Sequence, residues 1–181
     1  MQFILIILLS VFSAIVYGII HDQITARICV EYFTIGHPPI FNTESPTLLA
    51  FGWGVVATWW VGLMLGFPLA CAARLGSSRA LTATELIKPI AILLGVMGLG
   101  AILAALIAFI FASNGSIQIP AVFASTLPSQ KHIPFLVDMW THSASYFFGF
   151  LGGIALIVRI WRKREGSAHQ PSQTTDIERR K

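Results

Sequence analysis

The chain has 181 residues, of which 55% are hydrophobic and only 11% charged, and its mean hydropathy is +0.75. That composition excludes a soluble domain. Four apolar stretches of about 20 residues each, the length that crosses a ~30 Å hydrocarbon core, occupy roughly half the chain and exclude a large extramembrane catalytic domain as well.

The predicted fold is an all-α integral membrane protein with four transmembrane helices over about 2–20, 47–71, 89–112 and 135–158. Long unbroken apolar runs, with no ten-residue alternation, select helices over a membrane barrel. A four-helix transmembrane domain is thus expected over 1–161, followed by a basic tail over 162–181.

The first stretch, from Gln2 to Ile20, carries no charge. A cleaved signal peptide is the alternative reading. The absence of a basic leader and an apolar run longer than the usual 7 to 15 residues favour a retained span. Ser10, Ser13, Tyr17 and His21 fall on one arc of this helix, and Thr25 and Tyr32 continue it.

Beyond His21 the pattern changes. Gln23, Arg27, Glu31 and Thr34 share a polar face, whereas Ile24, Ile28, Val30 and Phe33 are apolar, so an amphipathic outer helix is expected over about 22–36. It must stop before Pro38-Pro39, and Arg27 and Glu31 have the spacing of an i,i+4 ion pair. The run His21-Asp22-Gln23-Ile24-Thr25-Ala26-Arg27, followed by Cys29, Glu31-Tyr32-Phe33-Thr34 and His37-Pro38, resembles a segment of a family of small, uncharacterised bacterial four-span membrane proteins. The resemblance covers about 18 residues. It implies a bacterial inner-membrane location and brings no activity with it.

In the second span Gly62 and Gly66, and in the third Gly95 and Gly98, are spaced for close helix packing within the chain, with homo-oligomerisation as the alternative use. Trp59 and Trp60 are expected to pack, or else to line a cavity for a lipid or quinone. Cys29 and Cys71 fall on opposite sides of the membrane in this topology and cannot pair. Thr82-x-x-Glu85 has the form of a capping box for a short helix leading into the third span.

The fourth span places Asp138, His142, Ser145, Gly149 and Gly153 within one arc of about 80°. Gly149 and Gly153 form a GxxxG pair, so this stripe should face protein and not lipid. Trp140 and Trp161 mark the span's two ends as an aromatic belt would. Arg159, Arg162, Lys163 and Arg164 close it and should meet anionic lipid. The remaining tail is too polar to fold alone, and since the basic excess sits there no nucleic-acid partner is inferred.

Lys and Arg number 1, 3, 1 and 7 in the segments 21–46, 74–88, 114–133 and 159–181. That alternation predicts cytoplasmic N- and C-termini. Four of the five histidines (His21, His37, His132 and His142) and four of the eight acidic residues (Asp22, Glu31, Glu44 and Asp138) then share the outer side.

Two readings of this clustering compete. In the first, His21, Asp138 and His142 are the prime ligands of a divalent transition metal, with Asp22, Glu31 or His37 completing the set. Imidazole with carboxylate suits zinc, iron, manganese or copper, whereas calcium would want oxygen alone. No HExxH, repeated ExxH or Cys-rich spacing supports it as a signature. In the second reading Asp138 caps the fourth helix, His142 bonds to Tyr17, Ser145 or a carbonyl, and the cluster is the structural network of a non-catalytic subunit or scaffold. A small transporter or pore is a third class, disfavoured because the middle spans lack ionisable groups at mid-depth. No catalytic residue is assigned, and homo-oligomer or membrane-protein partners stay open.

Overall fold

A computed structural model describes residues 1–168, the side chains of 167 and 168 excepted. Among these residues the protein is all-helical. Its elements are α1 (Gln2–Ile28), α2 (Val30–Thr34), α3 (Pro46–Val56), α4 (Trp59–Arg74), α5 (Ala83–Ser113), α6 (Ala121–Ala124) and α7 (His132–Ala168), with a 3-10 turn over Ser129–Lys131. Four helical stretches are long and apolar enough to cross a membrane: Gln2–Ile28, Pro46–Arg74, Ala83–Ser113 and Ser129–Gly166.

The first helix outruns its expected end. Asp22 and Arg27 are expected in a separate amphipathic helix, yet α1 itself continues to Ile28, with Asp22, Thr25 and Ala26 buried on its inner face. At Cys29 the backbone turns extended (φ −148°, ψ 95°), and the amphipathic segment resumes as the short α2. The expected Arg27–Glu31 pair does not form. Arg27 donates instead to Gln23 and to Thr47 Oγ1, while Lys131 takes Glu31 at 2.9 Å, which bolts α2 to the start of α7.

The second span is two helices, broken at Ala57-Thr58. The third starts earlier than predicted: the Thr82/Glu85 capping box forms and caps the 31-residue α5 itself, and Pro89 lies in its second turn, where the missing N–H leaves the Glu85 carbonyl without its helical donor.

Around the bundle the order is α1, α3 with α4, α7, α5. The tightest seams are α1 against α3 and α4, and α5 against α7. Glycine makes the first seam possible. A Cβ on Gly62 would stand 2.7 Å from Val11 Cα, and one on Gly54 2.6 Å from the Ile19 backbone nitrogen, so any larger residue would push the helices apart. In a membrane, where apolar burial gives no drive to associate, such contact is what holds helices together. Gly95 and Gly98 do not share this role, since nothing lies within 4 Å of their Cβ positions; in α5 it is Gly100, beneath Phe148, that packs closely.

The inner-helix stripe on α7 does face protein, by a different means than predicted. Gly149 and Gly153 oppose the side chains of Met97 and Leu65, not a neighbouring backbone. The backbones of α1 and α7 lie across the bundle from one another, and the space between them is a cavity.

At the far end of α7 the expectation of a disordered tail from 162 onward fails for its first residues, which extend the helix through Ala168; the rest of that tail lies outside the described residues. Arg164 is 6% exposed and so cannot serve as a lipid contact. Its guanidinium donates to the carbonyl oxygens of Ala72, Leu75, Ser78 and Arg79, four acceptors that the end of α4 and the following loop leave without helical donors.

Candidate metal centre

The end of the bundle opposite Arg164 gathers the predicted polar residues. His21 and Asp22, adjacent on α1, both turn toward α7, where His142 meets them. One ligating atom from each of the three lies within 4.8 Å of the others. His142 Nε2 stands 3.2 Å from Asp22 Oδ1, and the rings of His21 and His142 meet edge to face at 4.6 Å. The polar arcs of the first and fourth spans therefore meet at this level through side chains that cross the cavity, while their backbones stay apart.

His142 Nδ1 donates to the Asp138 backbone oxygen at 2.8 Å, since a carbonyl only accepts, and Nε2 is hydrogen-bonded to Asp22 Oδ1. His21 Nδ1 lies 3.4 Å from Ser145 Oγ, which is itself 3.0 Å from the Tyr17 hydroxyl. His21 Nε2 is buried with no hydrogen-bond partner. Two imidazoles and a carboxylate thus meet at one point, and one ring nitrogen there is left unmatched. A metal-bound histidine typically has its other nitrogen donating to a carbonyl or hydroxyl in this manner.

The remaining candidates stand outside the group. Asp138 is 0% exposed, and neither of its carboxylate oxygens has a hydrogen-bond partner. It does not cap α7, which begins six residues earlier at His132. Its backbone carbonyl orients His142, while its side chain is an unsatisfied acceptor beside Asp22 and Cys29. Glu31 is engaged by Lys131 and by the Cys29 thiol, which donates to Oε2 at 3.4 Å. Burial acts to raise the Glu31 carboxyl, but the bonds from Lys131, from its own backbone N–H and from the Cys29 thiol, with the Lys131 charge, together outweigh it and hold the group below the usual carboxylate range. Burial also pushes the Cys29 thiol up to about 12, which keeps it a thiol.

His37 donates from Nδ1 to the Tyr32 carbonyl at 2.8 Å, and burial lowers its pKa. It belongs to an aromatic cover. Tyr32 lies over His142 with ring centroids 4.5 Å apart, and His37 lies against Trp53 at 4.6 Å. His132 sits apart, bonded to the Leu127 carbonyl.

Below this cluster runs the cavity, of about 130 Å³, its upper walls formed by Tyr17, Tyr32, Trp53 and Tyr146 and its lower walls by Ser10, Ser13 and apolar residues. Trp59 and Trp60, the sequence candidates for lining it, are exposed on the outer surface instead. Trp53 takes that place, one helical turn before the Ala57-Thr58 break, a position that no periodicity marks.

Comparison with protein-family models, with curated proteins and with solved structures finds no match to this chain.

Proposed function

We propose that this chain is a multi-pass metalloprotein of the bacterial inner membrane, with both termini cytoplasmic, in which His21, Asp22 and His142 hold a divalent transition metal at the outward-facing end. The observation that carries the reading is the meeting of His21, Asp22 and His142, with one ligating atom of each within 4.8 Å of the others and His21 Nε2 buried without a partner. Adjacent ligands of a tetrahedral zinc stand about 3.3 Å apart, close to the His142–Asp22 separation of 3.2 Å. Only His21 must move inward.

Two histidines and one carboxylate leave coordination positions open, the arrangement found in non-haem iron sites and, with an added water, in catalytic zinc sites. The open side faces the cavity, so a bound molecule would reach the ion from there.

The competing reading is a structural network in a scaffold subunit, favoured by the continuous chain Tyr17–Ser145–His21. In that case a proton, not a metal, lies between His142 and Asp22. Total metal measured by mass spectrometry on tag-free, detergent-purified protein separates the two, with the double variant His21→Ala/His142→Ala alongside. Near-stoichiometric zinc, iron, manganese or copper that vanishes in a still-folded variant supports the metal centre. Absence of metal after reconstitution with each ion establishes the network.

A further inference from the structure

The cavity below the cluster is too small for a lipid and too polar to stay dry. Its volume of about 130 Å³ is room for about four water molecules at ~30 Å³ each. Its length fits the same number. The rise of α1 from Ser10 to His21, both in its lining, is about 16 Å, and four waters in single file make five hydrogen bonds of about 2.8 Å, about 14 Å in all.

Hydroxyls mark every level of that path. Ser10, Ser13, Tyr17 and His21 follow one another at helical spacing, neighbours on one face of α1 with Cβ atoms about 5–6 Å apart, and Thr58, Ser145 and Tyr146 complete the lining from other segments. One bridging water closes a gap of that size. Ser10 donates its proton to the Ile6 carbonyl, Thr58 to that of Gly54 and Tyr146 to that of Ala57. Their lone pairs are left to accept from whatever fills the cavity. Ser13 Oγ has no hydrogen-bond partner among the described residues, and a hydroxyl at that depth in a bilayer finds no bulk water. Cavities that stay empty are apolar; one lined by such acceptors offers the two to four partners a buried water requires.

The floor is of the other kind. Leu69, Ile90 and Leu156 close the cavity toward the Arg164 end, and with Ile6 they belong to a buried apolar cluster. We infer that the cavity holds a blind file of about four ordered waters, braced by Ser10, Ser13, Thr58 and Tyr146, that leads up to the His21/Asp22/His142 cluster and stops below Ser10. The file is carried by the cavity's own hydroxyls and needs no metal above it. One consequence does rest on the metal reading: the uppermost water takes an open coordination position, so water is the reactant with which the centre is supplied, and hydrolysis or hydration is the chemistry it favours.

The test is X-ray radiolytic footprinting of the whole protein in detergent, equilibrated in heavy-oxygen water. Radicals formed from ordered water oxidise the side chains beside it, and the heavy isotope separates that product from oxidation by air. Met97 lines the cavity, whereas Met64 is exposed on the outer surface of the bundle, where detergent covers it. Heavy oxygen is expected in Met97 and Tyr17 and not in Met64. Ser13→Ala, which takes one partner from the file, should lower the Met97 label about fivefold, the worth of one ordinary hydrogen bond. Thr58→Val removes a second partner at another level and should act in the same direction should the first variant not fold. His21→Ala/His142→Ala should keep the Met97 label even when it binds no metal, so failure of the metal reading leaves the file standing. Equal labelling of Met97 and Met64, or a Met97 label that neither hydroxyl variant lowers, overturns the inference. So does a small organic molecule recovered from the purified protein at near one per chain.

Discussion

Both ends of the bundle bury charged or ionisable side chains, and they treat them in opposite ways. At one end Arg164 is surrounded by four carbonyl oxygens, and its donors are matched to acceptors that the terminus of α4 leaves over. At the other end Asp138 has no partner for either oxygen and His21 Nε2 has none, while His142 and Asp22 bond to each other. A saturated buried polar group is a fastener. An unsaturated one costs folding energy, and the proposed metal centre is the reading under which that cost at His21 is recovered.

The largest effect should come from Asp22→Ala, which removes the anionic ligand and should take bound metal from near one per chain to near none while the helical content stays intact; elemental analysis beside circular dichroism checks this. Retained metal would break the contrast at its functional end. Next, Arg164→Met strands four carbonyls at the α4 terminus and should cost about 3 kcal/mol in a reversible denaturant titration in detergent. Arg164→Lys, with three donors on a point charge in place of a planar fork, should recover only part of it.

The contrast is sharpest at Asp138. Asp138→Leu replaces an unpartnered buried carboxylate with an apolar side chain of similar size, and such exchanges are often neutral or stabilising. The metal-free protein should therefore unfold no earlier than wild type, opposite in sign to Arg164→Met. A strongly destabilised Asp138→Leu protein would mean that the carboxylate has a partner after all.

Smaller effects are expected around these. Ser145→Ala removes the acceptor that orients His21 and should weaken metal binding about tenfold or more, the usual range for outer ligand partners, with little change in helix content. The Glu31–Lys131 pair should show itself only through pH. Glu31 is held below its ordinary range in the folded protein, so its contribution is present above the unfolded carboxyl value and is lost as pH falls below about 4.5. Unfolding midpoints of wild type and Glu31→Gln should converge between pH 5 and pH 3 (roughly the interval over which a carboxyl titrates).

The four spans, their apolar character and the inward face of α7 were all readable in sequence, because each rests on local composition or on helical period. His21, Asp138 and His142 were found by the same arc arithmetic. What escaped depended on other segments. Asp22 ranked behind Asp138 because it lies off the arc of His21, whereas Asp138 shares that of His142, and its burial follows from α1 continuing to Ile28. Arg164 reads as one more cation in a basic cluster; only the position of the α4 terminus makes it a cap. The cavity depends on how far α1 stands from α7, a distance set by glycine contacts on the opposite faces of those helices, which no single-helix pattern contains.

The most direct test of the central claim is X-ray absorption spectroscopy of the metal-reconstituted, tag-free protein and of its His21→Ala form. The account predicts a first shell with two imidazole nitrogens and at least one carboxylate oxygen, falling to one imidazole in the variant. A shell of oxygen alone, or one that His21→Ala leaves unchanged, would contradict it.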